Sequence, residues 1–109
     1  MAFAIVLAPH AVAALKKLPV PVRSGVEKAI EVHLTHEPTK VSKSRIKKLR
    51  SLNQPQYRLR VGDIRVFYDV TETQVQILAV VSKAEAQAWL DEQGTAAGNE
   101  TEGRGSRGR

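Results

Sequence analysis

The sequence predicts an α+β domain: an N-terminal strand, a helical hairpin, an antiparallel three-strand meander and a short C-terminal helix. Three observations lead there. The chain opens on an apolar run at residues 3–7, continues with two helical patterns punctuated by prolines, and then carries two strictly alternating runs around Gly62-Asp63. Its 109 residues, 42% hydrophobic and 26% charged, suit one domain with a modest core.

Residues 3–7 are short, β-branched in part and closed by Pro9, which favours a strand buried on both faces over a helix. From Pro9, a residue tolerated in a first helical turn, Ala11, Val12, Leu15 and Leu18 recur at three- and four-residue spacing until Pro19. After Pro21 a second stripe runs through Val22, Val26, Ala29, Ile30, His33 and Leu34 and stops at Pro38. The two segments pair as a hairpin of helices. Residues 39–56 are polar and basic, with Ile46, Leu49 and Leu52 as anchors on the core and Asn53-Gln54-Pro55-Gln56 as a turn.

Residues 57–61 and 64–70 alternate around a two-residue loop, the pattern of a β-hairpin. A third strand follows at residues 75–81, with Val75, Ile77, Ala79 and Val81 on one face. Ser82 with Glu85 three residues later is a capping box opening the last helix, whose apolar stripe is Ala86, Trp89 and Leu90. From Gly94 the chain has little to bury. Residues 1–93 are therefore read as the domain and 94–109 as a disordered tail containing glycine and arginine, an inert tail rather than a nucleic-acid contact.

Cysteine is absent, which excludes a disulfide framework, a thiolate zinc site and a cysteine nucleophile, and fits a cytoplasmic protein. The N-terminal apolar run lacks a basic flank and no run approaches the roughly 20 residues of a membrane span, so neither export signal nor membrane anchor is expected. His33-x-x-His36-Glu37 places two imidazoles on one helix face without a third ligand, and reads as packing and surface rather than metal; His10 reads the same way. There is no glycine-rich phosphate loop and no serine–histidine–acid motif.

The formal net charge is +6, and its placement is uneven. Between residues 40 and 65 stand Lys40, Lys43, Arg45, Lys47, Lys48, Arg50, Arg58, Arg60 and Arg65, against Asp63 alone. A stripe of this kind fits a polyanion or an acidic partner, or else a solvated face.

Hairpin register decides between them. With Gly62-Asp63 as the loop, Tyr57, Leu59, Val61, Ile64, Val66, Tyr68 and Val70 share the core face, while Arg58, Arg60, Arg65, Phe67 and Asp69 share the other. Arg60 and Arg65 then sit directly opposite, with side-chain carbons about 4.5–5.5 Å apart, an arrangement that destabilises the pair. Guanidinium forks bind phosphate bidentately, so an anion on this face removes that cost, and Phe67 offers a ring on which an unstacked base would lie. The plain alternative is that the arginines diverge into water and Phe67 packs beneath a neighbouring element. Clustering and register together favour the phosphate reading.

Ser44-Arg-Ile-Lys-Lys-Leu, followed by Tyr57-Arg-Leu-Arg-Val-Gly-Asp-Ile-Arg-Val-Phe-Tyr, resembles the core motif of the RelE/ParE toxins of bacterial type II toxin–antitoxin systems. The likeness covers roughly residues 2–92 in element order and is most specific over residues 57–68. It implies the RelE-like toxin fold. For the RelE branch, which the basic residues favour, it implies an mRNA interferase: a toxin that enters the ribosomal A site and cuts mRNA without a metal or other cofactor. In that chemistry the messenger's 2′-hydroxyl attacks the adjacent phosphate and leaves a cyclic phosphate and a 5′-hydroxyl.

Carried over by position, the resemblance implies phosphate binding or deprotonation at Arg58 and Arg60, a transition-state clamp at Arg65, and a further basic residue at Lys83. Lys43, Arg45, Lys47, Lys48, Arg50, Phe67 and Trp89 complete the expected RNA-binding set. Trp89 falls near the position of a terminal-helix tyrosine in that branch, and an indole cannot exchange a proton as a phenol does. Arginine, with a pKa above about 12, is also a weak general base. Expected partners are a cognate antitoxin, the ribosome and mRNA. The ParE branch would instead imply inhibition of DNA gyrase by binding, and a weakened member would bind its antitoxin alone.

Overall fold

The computed structural model describes residues 2–96 of the chain. Strand β1 (Ala4–Leu7) leads into helices α1 (Pro9–Lys17) and α2 (Val20–Leu34), then β2 (Ile46–Lys48) and β3 (Leu52–Gln54). The meander β4 (Tyr57–Val61), β5 (Ile64–Val70) and β6 (Gln74–Ser82) follows, and α3 (Lys83–Gln93) and β7 (Thr95–Ala96) close it. The meander is the centre of a five-stranded sheet of order β1-β6-β5-β4-β2, and β3 pairs with β7 in a separate two-stranded sheet.

Prolines punctuate the helical hairpin as expected. Pro9 opens α1, Leu18 closes it through a bond from its N–H to the Leu15 carbonyl, and Pro19 and Pro21 frame the start of α2. Ala11 and Leu15 of α1 and Val26, Ile30 and Leu34 of α2 are buried against one face of the sheet, where they meet Leu59, Val66, Tyr68 and Ile77. Tyr68 donates its buried hydroxyl to the Pro38 carbonyl at 2.7 Å and stacks on Tyr57 with ring centroids 5.5 Å apart.

The first strand is corrected by the structure. β1 is an edge strand, parallel to β6 in the register Ala4↔Gln74 to Leu7↔Ile77, and is not buried on both faces; Val6 is 42% exposed. Residues 39–56 hold two strands that local pattern does not reveal. Ile46 is the buried anchor of β2, which pairs with β4, whereas Leu49 and Leu52 are only half-buried. Asn53 and Gln54, expected in a turn, belong to β3, and the peptide from Gln54 to Pro55 is cis.

The β4–β5 hairpin has the expected register, from Tyr57↔Tyr68 to Val61↔Ile64. Gly62 takes φ +57°, the left-handed conformation that glycine enters without a Cβ penalty. β6 departs from expectation. Phe67 pairs with Ala79 but Tyr68 pairs with Ile77, so Leu78 is an extra residue in a β-bulge. Val75, Ile77 and Val80 therefore belong to the helical core, whereas Ala79 and Val81 turn to the second face.

α3 packs on that second face. Ser82 caps it, accepting from the Glu85 N–H at 3.3 Å and donating to the Glu85 carboxylate at 3.1 Å. Its Trp89 ring lies parallel to Phe67, with centroids 5.1 Å apart and an interplanar angle of 6°. Gly94 ends the helix where a Cβ would stand 2.5 Å from the Leu90 carbonyl oxygen and 3.2 Å from Leu52, which explains the glycine. Thr95–Ala96 then pairs with Leu52–Gln54, inside the stretch expected as tail; residues 97–109, the rest of that stretch, lie outside the described part. Among the described residues no helix is long and apolar enough to cross a membrane.

Candidate functional site

The second face of the sheet carries four of the expected cations, Lys47, Arg58, Arg60 and Arg65. Lys47 pairs with Arg58 and Arg58 with Phe67, so alternation places these three side chains in one row across β2, β4 and β5. Arg60 and Arg65 form the next row toward the hairpin tip. Arg60 is exposed, while Arg65 is 9% exposed and donates from Nη1 to the carbonyls of Gly62 at 2.8 Å and Ile64 at 3.1 Å. These bonds fix its guanidinium to the hairpin and leave its remaining donors for another acceptor.

Arg58 is the most strained electrostatically. Its Nε is buried with no hydrogen-bond partner, and its pKa is lowered first by burial and then by Arg65 and Arg60. A buried, unpartnered donor on a charged group is unfavourable until an acceptor meets it. Asp69 lies on the same face but does not neutralise the cluster. Its Oδ2 accepts from Gln54 Nε2 at 2.6 Å and its Oδ1 from the Gln56 N–H at 2.8 Å. Among the described residues the single salt bridge is Lys40–Glu37, at 3.6 Å, outside this face.

The other basic residues divide. Lys43, Lys47, Lys48, Arg50 and Arg58 line an open basin of about 670 Å³, and Lys48 also lies over the Tyr57 ring, 4.8 Å from its centroid. Arg45 is not among them. It lines a smaller cleft of about 240 Å³ with His33 and His36, and the pKa of His33 is lowered by partial burial first and by Arg45 second. Lys83 stands beside the hairpin tip, its N–H donating to the Asp63 carbonyl at 2.7 Å.

Phe67 corrects the expected stacking platform. It is 1% exposed and covered by Trp89, so no base reaches its face; the plain packing alternative holds for this ring. Trp89 is half-buried, with the His10 ring 6.5 Å away, and serves to seat α3 on the sheet. Neither tyrosine opens onto the arginine face: Tyr57 and Tyr68 lie in the helical core, where burial first and Tyr57 second push the Tyr68 phenol well above its usual range. Among the described residues no three or more histidine, aspartate or glutamate side chains are grouped to hold a metal. The residues that sequence reasoning missed are Gln54 and Gln56; Asp69 was visible as the lone acid on the basic face, but its partners were not.

These elements make the class plain: a small α+β protein with an arginine-lined sheet and a helical hairpin behind it. The family model described as ParE toxin of type II toxin-antitoxin system, parDE, matches residues 5–87, and the chain belongs to this family, within the RelE/ParE superfamily of toxins. Among solved structures it is similar to the archaeal RelE–RelB complex from Pyrococcus horikoshii OT3, with TM-score 0.63 and 27% identity over 76% of this chain and 97% of that one. It is likewise similar to the RelBE2 toxin–antitoxin complex from Mycobacterium tuberculosis, with TM-score 0.63 and 26% identity over 75% of this chain and 99% of that one. A mutant of the E. coli toxin RelE in the free state gives TM-score 0.65 and 26% identity, covering 84% of this chain and 94% of that one. The fold is thus the RelE-like toxin fold. A comparison with curated proteins finds no match.

Proposed function

We propose that this toxin blocks translation by cleaving mRNA on the ribosome, through attack of the messenger's 2′-hydroxyl on the adjacent phosphate. The observation that carries this reading is the trio Arg58, Arg60 and Arg65 on one face, with no ion pair to a carboxylate among the described residues. Attack at phosphorus builds negative charge on the non-bridging oxygens, and fixed guanidiniums stabilise that charge without reorganising. Arg65, held by the hairpin carbonyls, is the preorganised clamp; Arg60 and Lys83 add positive charge beside it. The basin lined by Lys43, Lys47, Lys48 and Arg50 continues the path for the RNA backbone. With both tyrosines in the helical core, the protein's own contribution is electrostatic, and protons exchange with solvent or with groups outside this chain.

The M. tuberculosis and P. horikoshii relatives are complexes with an antitoxin, which supports a cognate antitoxin for this chain; action on translating ribosomes would make its site of action the cytoplasm. A second reading, gyrase inhibition by binding alone, is favoured by the ParE family match and by Trp89, which packs and carries no phenol.

A translating extract supplied with one defined mRNA tests the first reading. Wild type is expected to release fragments with 5′-hydroxyl ends only when ribosomes are present, and Arg60→Ala to slow their release by about 100-fold while retaining its circular dichroism. Intact mRNA together with inhibited supercoiling by purified gyrase overturns it in favour of the second.

A further inference from the structure

Arg58 has two diagonal neighbours across the β4–β5 ladder on its own face, Arg65 and Asp69, since its direct partner is Phe67. Diagonal neighbours lie about 7–8 Å apart at the backbone, within reach of a long side chain. A carboxylate beside three uncompensated guanidiniums is the partner that simple electrostatics selects. Yet Asp69 makes no ion pair, and it is buried, 7% exposed, with both oxygens occupied by neutral donors, Gln54 Nε2 at 2.6 Å and the Gln56 N–H at 2.8 Å. Gln56 is itself tied down, its side-chain oxygen accepting from the Val70 N–H at 2.9 Å. Gln54 is delivered by β3, whose place is set by pairing with β7 beyond α3.

We infer that Gln54 and Gln56 are positioning residues that hold the Asp69 carboxylate away from Arg58, so that this guanidinium stays open for an RNA phosphate. The inference rests on the proposed reading of the face as a phosphate site. It assigns work to a buried acid that the mechanism does not otherwise use, and it fits an Arg58 Nε that is buried without a partner.

The test uses the full chain and a labelled single-stranded RNA oligonucleotide. Arg58→Ala is measured first: if it binds as wild type does, the phosphate reading of this face fails. Where it weakens binding, Gln54→Ala is expected to weaken it by about tenfold, because freed Asp69 pairs with Arg58, and adding Asp69→Asn is expected to restore affinity to within about twofold. Unchanged affinity in Gln54→Ala, or a loss that Asp69→Asn does not rescue, overturns the inference. The Arg58 Nε–H resonance reads the clamp without any RNA. It should move in Gln54→Ala and return in the double variant, and a resonance that stays in place also overturns the inference. Gln54→Met, which keeps the length and removes the donor, serves if the alanine variant does not fold.

Discussion

Arg60 and Arg65 face each other across the β4–β5 ladder, yet their settings differ: Arg60 is exposed to solvent, and Arg65 is buried with its guanidinium bonded to the Gly62 and Ile64 carbonyls. Like charges directly opposed on a sheet repel, so the two positions respond differently to truncation.

Arg60→Ala should leave stability unchanged or raise it by up to about 0.5 kcal/mol, because only a repulsion is lost. Arg65→Ala should lower stability by about 1.5–3 kcal/mol, since two carbonyls lose a charged donor. Urea unfolding of both variants measures the difference; equal effects would show that the hairpin bonds of Arg65 contribute nothing to the fold.

Trp89→Ala should destabilise by about 2–3 kcal/mol, less than a wholly buried ring because Trp89 is only half-buried. Part of that loss belongs to the stack on Phe67. A double-mutant cycle with Phe67→Leu should give a coupling of about 1 kcal/mol. Independent, additive losses would place Trp89 elsewhere than on Phe67.

Tyr68 makes stability depend on alkaline pH. The folded protein holds its phenolic proton more tightly than the unfolded chain, whose tyrosine titrates near the ordinary value of 10.0, and burial is the first cause. The associated stabilisation is complete below pH 10 and is lost as pH rises beyond it toward the folded-state pKa. Tyr68→Phe, which forfeits the bond to the Pro38 carbonyl, should be about 1–2 kcal/mol less stable at neutral pH. Its stability should also fall less steeply above pH 10. Parallel curves for the two proteins would exclude Tyr68 as the source.

The β4–β5 hairpin and its two faces are legible in the sequence because loop length and alternation are local properties. Arg60 opposite Arg65 follows from them directly. β2 and β3 are not legible: each has three residues, and the partner of β3 lies beyond α3. The β6 bulge escapes because Val75, Ile77, Leu78, Ala79, Val80 and Val81 offer almost no polar marker of which face is which. Phe67 reads as open for a related reason, since its cover arrives from a helix whose path across the sheet leaves no trace in local pattern. Asp69 is visible as an acid on a basic face, and the glutamines that occupy it come from the one stretch where secondary structure is hidden.

Leu78 adds one residue to β6, and everything after it points the other way. A relative without this residue would keep plain alternation through the strand and present the equivalent side chains from there to the start of α3. Aligned columns downstream therefore compare equivalent positions only when the gap is placed at Leu78; placed anywhere later, a conserved surface would look like scattered substitution. One inserted residue thus acts as a change of orientation rather than of length.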